Sequence, residues 1–285
     1  MMPMLQNNLH EIVEHLIVAQ KKKNAQIHCI TNFVTANLCA NAILAVNASP
    51  IMADAPEESA MITSHADALM VNLGTLSKTR KMAMLLSVSE ASKKAIPIVL
   101  DPVGIGASLF RKDTLEQIVK TGKPTVIKGN LSEISALING AYSHGKIDSD
   151  KSLELLSKAE KCQIASSAAQ RYQCIVVMTG NPDIVSDGHH TMLVHNGHPM
   201  LKKITGTGCL LSALIATYCA YLPEDHFMAA MLATSTVGYC GEIAAHITLE
   251  KSSGTGTFEI ELLNALSTLD YALFEKGLHY DDYTQ

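Results

Sequence analysis

Five short apolar runs rich in β-branched residues recur along the chain, each ended by turn-forming or polar residues: IHCIT (27–31), ALMVNL (68–73), IPIVLDPV (96–103), PTVIKGN (124–130) and CIVVMTG (174–180). Such runs read as buried strands. Between and after them, residues 33–46, 78–94, 132–140 and 150–171 carry helical periodicity. Strands separated by helices pair in parallel through crossovers, and a parallel sheet needs cover on both faces. The order therefore restricts the chain to an α/β fold with a mostly parallel central sheet flanked by helices on both faces.

Composition agrees with a large buried sheet: 47% of residues are hydrophobic and only 17% charged. A chain of 285 residues without a visible linker fits one α/β domain spanning 1–285. The net charge of −5 and a single short basic run, Lys21 to Lys23, argue against a nucleic-acid partner, which requires clustered cations. Seven cysteines form no C-x-x-C pair and are odd in number, so reduced thiols and a cytoplasmic location are expected. The N-terminal segment places Ile12, Val13, Leu16 and Ile17 at helical spacing among charges, an amphipathic helix rather than a signal peptide. Residues 204–223 carry no charge, yet Pro223 leaves a helix of roughly 13–15 residues, too short to span a membrane.

Residues 183–201 alternate apolar and polar around Asp187-Gly188 and Asn196-Gly197, which predicts an antiparallel hairpin. The same alternation scatters His189, His190, His195 and His198 over different faces, against a metal cluster. His28, inside a strand pattern, reads as a hydrogen-bonded core residue. Pro56 with Glu57 and Glu58 marks the first turn of a helix. Two further helices, near 224–248 and 257–276, close the chain.

The chemistry concentrates in KKITGTGCLLSALIATYCAYL (202–222). Gly206 and Gly208 let backbone amides face an anion, and the helix that follows adds roughly half a positive charge at its N-terminus. Cys209 stands where this phosphate cradle meets the helix. In a parallel sheet, ligands sit beyond the carboxyl ends of strands. Asp101, Lys128, Asn130, Glu133 and Thr179-Gly180 occupy those ends. Each has a structural reading: a turn-forming Asp, a surface Lys, an Asn130–Glu133 capping box, a tight turn at TGTGC. Together they supply carboxylates for Mg²⁺, a cation for phosphate and backbone donors, the parts of phosphoryl transfer. Neither a G-x-x-x-x-G-K-[ST] loop nor a G-x-G-x-x-G turn after a strand is present, which excludes those two nucleotide-binding motifs.

Taken in order, IHCITNFVTANLCANAILAVNASPIMADAPEE (27–58), LDPVGIGAS (100–108), IKGNLSEI (127–134), VVMTGNPDIVSDG (176–188) and ITGTGCLLSA (204–213) closely resemble the hydroxyethylthiazole kinases, a ribokinase-like family of thiamine salvage. The resemblance implies a three-layer ribokinase-like fold and transfer of phosphate from ATP, with Mg²⁺, to the alcohol of 4-methyl-5-(2-hydroxyethyl)thiazole. It also implies homotrimers with substrate sites at subunit interfaces. Mapped onto this chain, it implies nucleotide contacts at Lys128 and Thr179, and an Mg²⁺ network at Glu133 with Asp101 acting through water. The thiazole pocket would use Asn32, Met52 and the loop around Gly206, and the amides around Gly206 to Cys209, Gly208 among them, would stabilise the transferring group. Lys128 stands where the family holds Arg or Lys and lacks the bidentate guanidinium fork. Cys209 occupies the position of the catalytic Asp in most related sugar kinases, and is expected to be a weak or dispensable base. Two other readings of the scaffold are a nucleotide-dependent dehydratase of hydrated nicotinamide cofactor and a non-catalytic nucleotide-binding protein.

Overall fold

The computed structural model describes residues 2–139 and 155–284. In chain order they form α1 (Met2–Lys22), β1 (Gln26–Ile30), α2 (Ala36–Ala45), β2 (Ser49–Ile51), α3 (Pro56–His65), β3 (Ala68–Asn72), α4 (Lys78–Lys94) and β4 (Ile98–Asp101). There follow α5 (Leu109–Thr121), β5 (Val126–Asn130), α6 (Leu131–Asn139), α7 (Lys158–Tyr172), β6 (Ile175–Thr179), β7 (Asp183–Ser186) and β8 (Thr191–Val194). The chain closes with α8 (Thr207–Tyr221), α9 (His226–Glu250), α10 (Thr255–Thr268), α11 (Tyr271–Gly277) and β9 (Tyr280–Asp282).

The strands form one sheet in the order β2-β1-β3-β4-β5-β6-β7-β8-β9. Pairing is parallel from β2 through β6 and antiparallel from β6 through β9. All five anticipated strands are present, and so is the hairpin, which turns at Asp187-Gly188. Successive strand residues point to opposite faces, so Met70 and Val177 join one apolar cluster while Leu69, Val71, Val176 and Met178 join another. The first cluster is shared with α1, α2, α8, α9 and α10; the second with α4, α5, α6 and α7. Val13 and Leu16 are the buried stripe of α1. Helix α8 is buried on every side from Cys209 to Tyr221, which accounts for its lack of charge. Among the described residues no helix is long and apolar enough to cross a membrane.

The differences from expectation have local causes. Strand β2 is a three-residue edge containing Pro50, whose missing N–H suits an edge position and whose brevity hides it from pattern reading. Strand β9 is equally short and forms the other edge. Helix α5 was not anticipated, because only Thr114, Leu115 and Ile118 face inward from a charged sequence. The single helix expected over 257–276 is broken at Leu269, whose backbone is extended, into α10 and α11. Helix α7 begins later than expected, at Lys158, behind a Ser157–Glu160 capping box. Residues 140 and 150–154 of the expected helices lie outside the described residues. The Asn196-Gly197 pair ends β8 without forming a second hairpin; β8 pairs instead with the distant β9.

Parallel pairing in register carries the strand ends to one edge of the sheet. Asn72 stands beside Asp101, and Asn130 beside Thr179.

Candidate active site

Gly206 is the residue before α8 and has φ +97°, a left-handed value that favours glycine. A Cβ there would lie 2.6 Å from Thr35 Cγ2, so the loop is also pressed against the start of α2. Thr207 ties the turn down by donating from Oγ1 to Leu201 O at 2.9 Å. At Gly208 a Cβ would lie 3.1 Å from Lys128 Nζ, so glycine lets the lysine approach the first turn of α8. The amides of that turn have no partner one turn earlier in the helix, and the helix dipole points its positive end there. Cation, amides and dipole converge on one point.

Beneath it lies a buried polar network. Asp101, with no exposed surface, accepts at Oδ2 from Asn72 Nδ2 at 2.8 Å and Ser212 Oγ at 2.8 Å, and faces Lys128 Nζ at 3.5 Å. Lys128 is 5% exposed, so the surface-charge reading of this residue is wrong. Burial pulls its ammonium pKa down, but the Asp101 and Glu133 carboxylates outweigh burial and the net displacement is upward; it is a cation. Cys209 Sγ accepts from Asn72 Nδ2 at 3.2 Å and Asn32 Nδ2 at 3.3 Å. Its thiol is pushed up by burial and then by the Asp101 carboxylate, against partial relief from Thr35, Lys128 and Asn32. The thiol is therefore neutral at physiological pH.

Glu133 forms the anticipated capping box. Its Oε2 accepts from Asn130 N at 2.9 Å while Asn130 Oδ1 accepts from Glu133 N at 2.9 Å. Its Oε1 accepts from Gly104 N at 2.9 Å, which ties the β4 loop to α6. Burial and then Asp101 raise its pKa, while Lys128 and the two amides oppose them. Structural and functional readings thus fall on the same carboxylate. Asp101 Oδ1 is buried and meets no donor among the described residues. A free hard oxygen beside a second carboxylate suits Mg²⁺, although no group of three or more His, Cys, Asp and Glu side chains converges among the described residues.

A cavity of about 460 Å³ opens from this point toward β6–β8, lined among others by Thr179, Asp183, His195, Lys202 and Gly208. Thr179 Oγ1 donates to Gly129 O at 3.4 Å. Asp183 Oδ1 accepts from Gly180 N at 2.6 Å, and burial raises its carboxyl to about 7 against that bond and the two lysines, Lys128 and Lys202.

The structure thus brings Asn32, Asp101, Lys128, Glu133, Gly206, Gly208 and Cys209 together, with Thr179 on the adjoining cavity wall. Met52 follows β2 and packs partly buried against the core; like Asn32 and Cys209 it is not among the residues lining this cavity. His28 bonds to Thr63 Oγ1 and Ala53 O, a core residue as read. His190 faces Asp187, His195 faces Asp281, and His198 accepts from Met200 N. Sequence reading missed Asn72, Ser212 and Asp183. Asn72 was visible as a polar residue ending an apolar strand, and Ser212 as a hydroxyl one turn beyond Gly208; Asp183 lay in a segment read only for its turns.

A dry carboxylate–lysine pair under a helix N-terminus, at the carboxyl edge of this sheet, defines a phosphate-handling α/β protein. The fold class is ribokinase-like: a ribokinase-like superfamily protein from Enterococcus faecalis matches with TM-score 0.56 at 13% identity, over 85% of this chain and 86% of that one. Residues 17–272 match the hydroxyethylthiazole kinase family, and the chain belongs to it. A hydroxyethylthiazole kinase from Ruminiclostridium cellulolyticum is 40% identical over 262 residues, 92% of this chain and 94% of that protein. The solved hydroxyethylthiazole kinase of Pyrococcus horikoshii matches with TM-score 0.81 at 34% identity, over 95% of this chain and 98% of that one.

Proposed function

We propose that this chain transfers the γ-phosphoryl group of ATP to the hydroxyl of 4-methyl-5-(2-hydroxyethyl)thiazole, a step of thiamine salvage. Family membership supplies the reaction, and the observation that carries it onto these residues is the convergence of Lys128, Asp101 and Cys209 on the first turn of α8. ATP occupies the cavity beside Thr179 with its phosphates directed to the cradle. Lys128 neutralises phosphate charge, and the amides from Gly206 to Cys209 receive the charge on the transferring group. Asp101, through its free oxygen, and Glu133 would hold Mg²⁺, which supplies charge neutralisation between the phosphates when bound.

The acceptor lies on the Asn32 side of Cys209. Its oxygen bonds to the γ-phosphorus as the bond to the ADP oxygen breaks, and the hydroxyl proton passes to a phosphoryl oxygen. A loose transition state needs little prior deprotonation, so a neutral thiol at Cys209 is no obstacle and orientation carries the rate. Met52 and Asn32 contribute to a thiazole pocket shared between subunits. That reading agrees with exposed Phe33 and Val34, 73% and 57% accessible, directly after Asn32, and with a homotrimer whose pockets lie between subunits.

The chain reads as one domain over 1–285, three-layered because its two apolar clusters use different helices. Seven unpaired, buried cysteines support a reducing cytoplasm. The test is ³¹P spectroscopy of the protein with ATP, Mg²⁺ and the thiazole alcohol. A new phosphomonoester is expected and separates a kinase from a dehydratase or a nucleotide sensor; its absence at saturation removes the kinase reading. Mass in solution tests the trimer, and a monomer would leave Met52 without a role.

A further inference from the structure

Every hydrogen-bonding position of the Asn72 carboxamide is used, and its four partners come from four segments: the loop after β1, the loop after β3, β4 and α8. Nδ2 donates one hydrogen to Asp101 Oδ2 at 2.8 Å and the other to Cys209 Sγ at 3.2 Å. Oδ1 accepts from Gly74 N at 2.8 Å and from Asn32 Nδ2 at 3.1 Å. A primary amide has two donors and two lone pairs, so the group is saturated. The partners also fix its orientation, since a flipped amide would set its carbonyl against the Asp101 carboxylate and its NH₂ against the Gly74 N–H.

The site allows no slack. Asn72 has no exposed surface, and a Cβ on Gly74 would fall 2.8 Å from Asn72 Oδ1 and 2.9 Å from Asn32 Cβ. The loop after β3 therefore clamps the amide from one side while β4 and α8 hold it from the other. Asn32 repeats part of the pattern, giving its two hydrogens to Asn72 Oδ1 and Cys209 Sγ and accepting Thr35 N at 3.1 Å. The sulfur is thus gripped by two amide hydrogens, and among the described residues Asn72 is the one whose amide donates to both the sulfur and the carboxylate.

We propose that Asn72 is a positioning residue for phosphoryl transfer, its carboxamide locking the Cys209 sulfur to Asp101 so that cradle, carboxylate and acceptor side keep one geometry. The proposal rests on the kinase reading above. Asn72 touches neither nucleotide nor alcohol and acts through Cys209 and Asp101.

Asn72→Ala and Asn72→Ser test it in the full-length protein. Both should lower kcat by about 10- to 100-fold while KM for ATP and for the alcohol stays within about 3-fold, as a misaligned site does. In the same variants, iodoacetamide labelling of Cys209, mapped by mass spectrometry against pH, should reach its midpoint at least about 0.5 pH unit higher, because one N–H donor to the thiolate is gone. Unchanged kcat, or an unchanged labelling midpoint, overturns the proposal. Should both variants fail to fold, the wild-type protein with ¹⁵N-labelled asparagine decides: an Asn72 side-chain resonance must move on Cys209→Ser, and one that stays fixed overturns the contact. If wild type makes no phosphomonoester, the kinase reading fails by itself, and the labelling and resonance results still judge the amide.

Discussion

The carboxyl edge of the sheet has two unlike halves. Under β3, β4 and β5 the polar side chains bond one another in a dry network, with Asn72 and Asp101 fully buried and Lys128 nearly so. Beside β6, β7 and β8 the edge is an open cavity walled by loops, where His195 and Lys202 reach solvent and Asp183 lies half-buried at the wall. Charge held in the first half acts in a low-dielectric setting and cannot relax, whereas charge in the second is screened. Reacting atoms need the first kind of setting, and a nucleotide that must enter and leave needs the second. Substitutions in the dry half should therefore cost far more than matched ones in the open half.

The largest contrast is expected at Asp101. Asp101→Ala leaves the Lys128 ammonium buried without its partner and strips the acceptor from Asn72 and Ser212. Removing one member of a buried ion pair costs about 3–5 kcal/mol. Thermal unfolding should register that loss, and phosphorylation should fall by at least about 10³-fold. Asp101→Asn, which keeps the shape, should recover much of the stability and little of the activity. An Ala variant as stable as wild type would mean that the pair is not as dry as the geometry makes it.

A pair of glycines gives the next comparison. Gly206 and Gly197 both have positive φ, +97° and +144°, one in each half. Gly206→Ala adds a clash with Thr35 to the backbone strain, whereas a Cβ at Gly197 meets nothing within 4 Å. The first substitution should cut kcat by about 100-fold, because the cradle amides move. The second should cost only strain, about 1–2 kcal/mol in unfolding free energy, with turnover within a few-fold. Equal losses in the two variants would erase the distinction between the halves.

Cys209 sharpens the same contrast at lower amplitude. Its thiol is pushed up by burial and Asp101, so it is a poor base. Cys209→Ser should retain turnover within about 10-fold, and Cys209→Asp should exceed wild type by a few-fold, since Asn32 and Asn72 already aim two amide hydrogens at that position. Steady-state kcat decides, and an inactive Asp variant sinks the weak-base reading.

How much of this was legible follows the same divide. The strand ends, the capping box at Asn130 and the cradle are local patterns, in which each residue's role depends on its neighbours in sequence, and they were readable. Asn72 and Ser212 gain their roles from a partner 29 and 111 positions away, Asp101 in both cases; parallel register brings Asn72 to it, and the packing of α8 on β4 brings Ser212. Lys128 showed its charge in the sequence but not its burial, which comes from α8 packing over it at Gly208. Met52 is the reverse case. A family resemblance names it, and no local pattern in the sequence around β2 marks it as a site residue.

The smallest expected effect lies in the open half, at Asp183. Burial raises its carboxyl to about 7, well above the ordinary carboxylate value, despite the Gly180 amide and the nearby Lys128 and Lys202. Between the unfolded and folded pKa values the native state holds a proton that the unfolded state has lost. Stability contributed at this site is therefore present at low pH and declines as pH rises toward about 7. Nucleotide binding should share that sign, because ionised Asp183 repels phosphate across a screened cavity. Calorimetric titration with ADP should show affinity weakening by about 2- to 5-fold from pH 6 to pH 8, a size set by partial screening. Asp183→Asn keeps an oxygen for Gly180 N and cannot ionise, so the difference between the two proteins removes the nucleotide's own titration. Identical pH profiles for both would place the ionisation of Asp183 outside this range and leave the open half electrostatically silent toward the nucleotide.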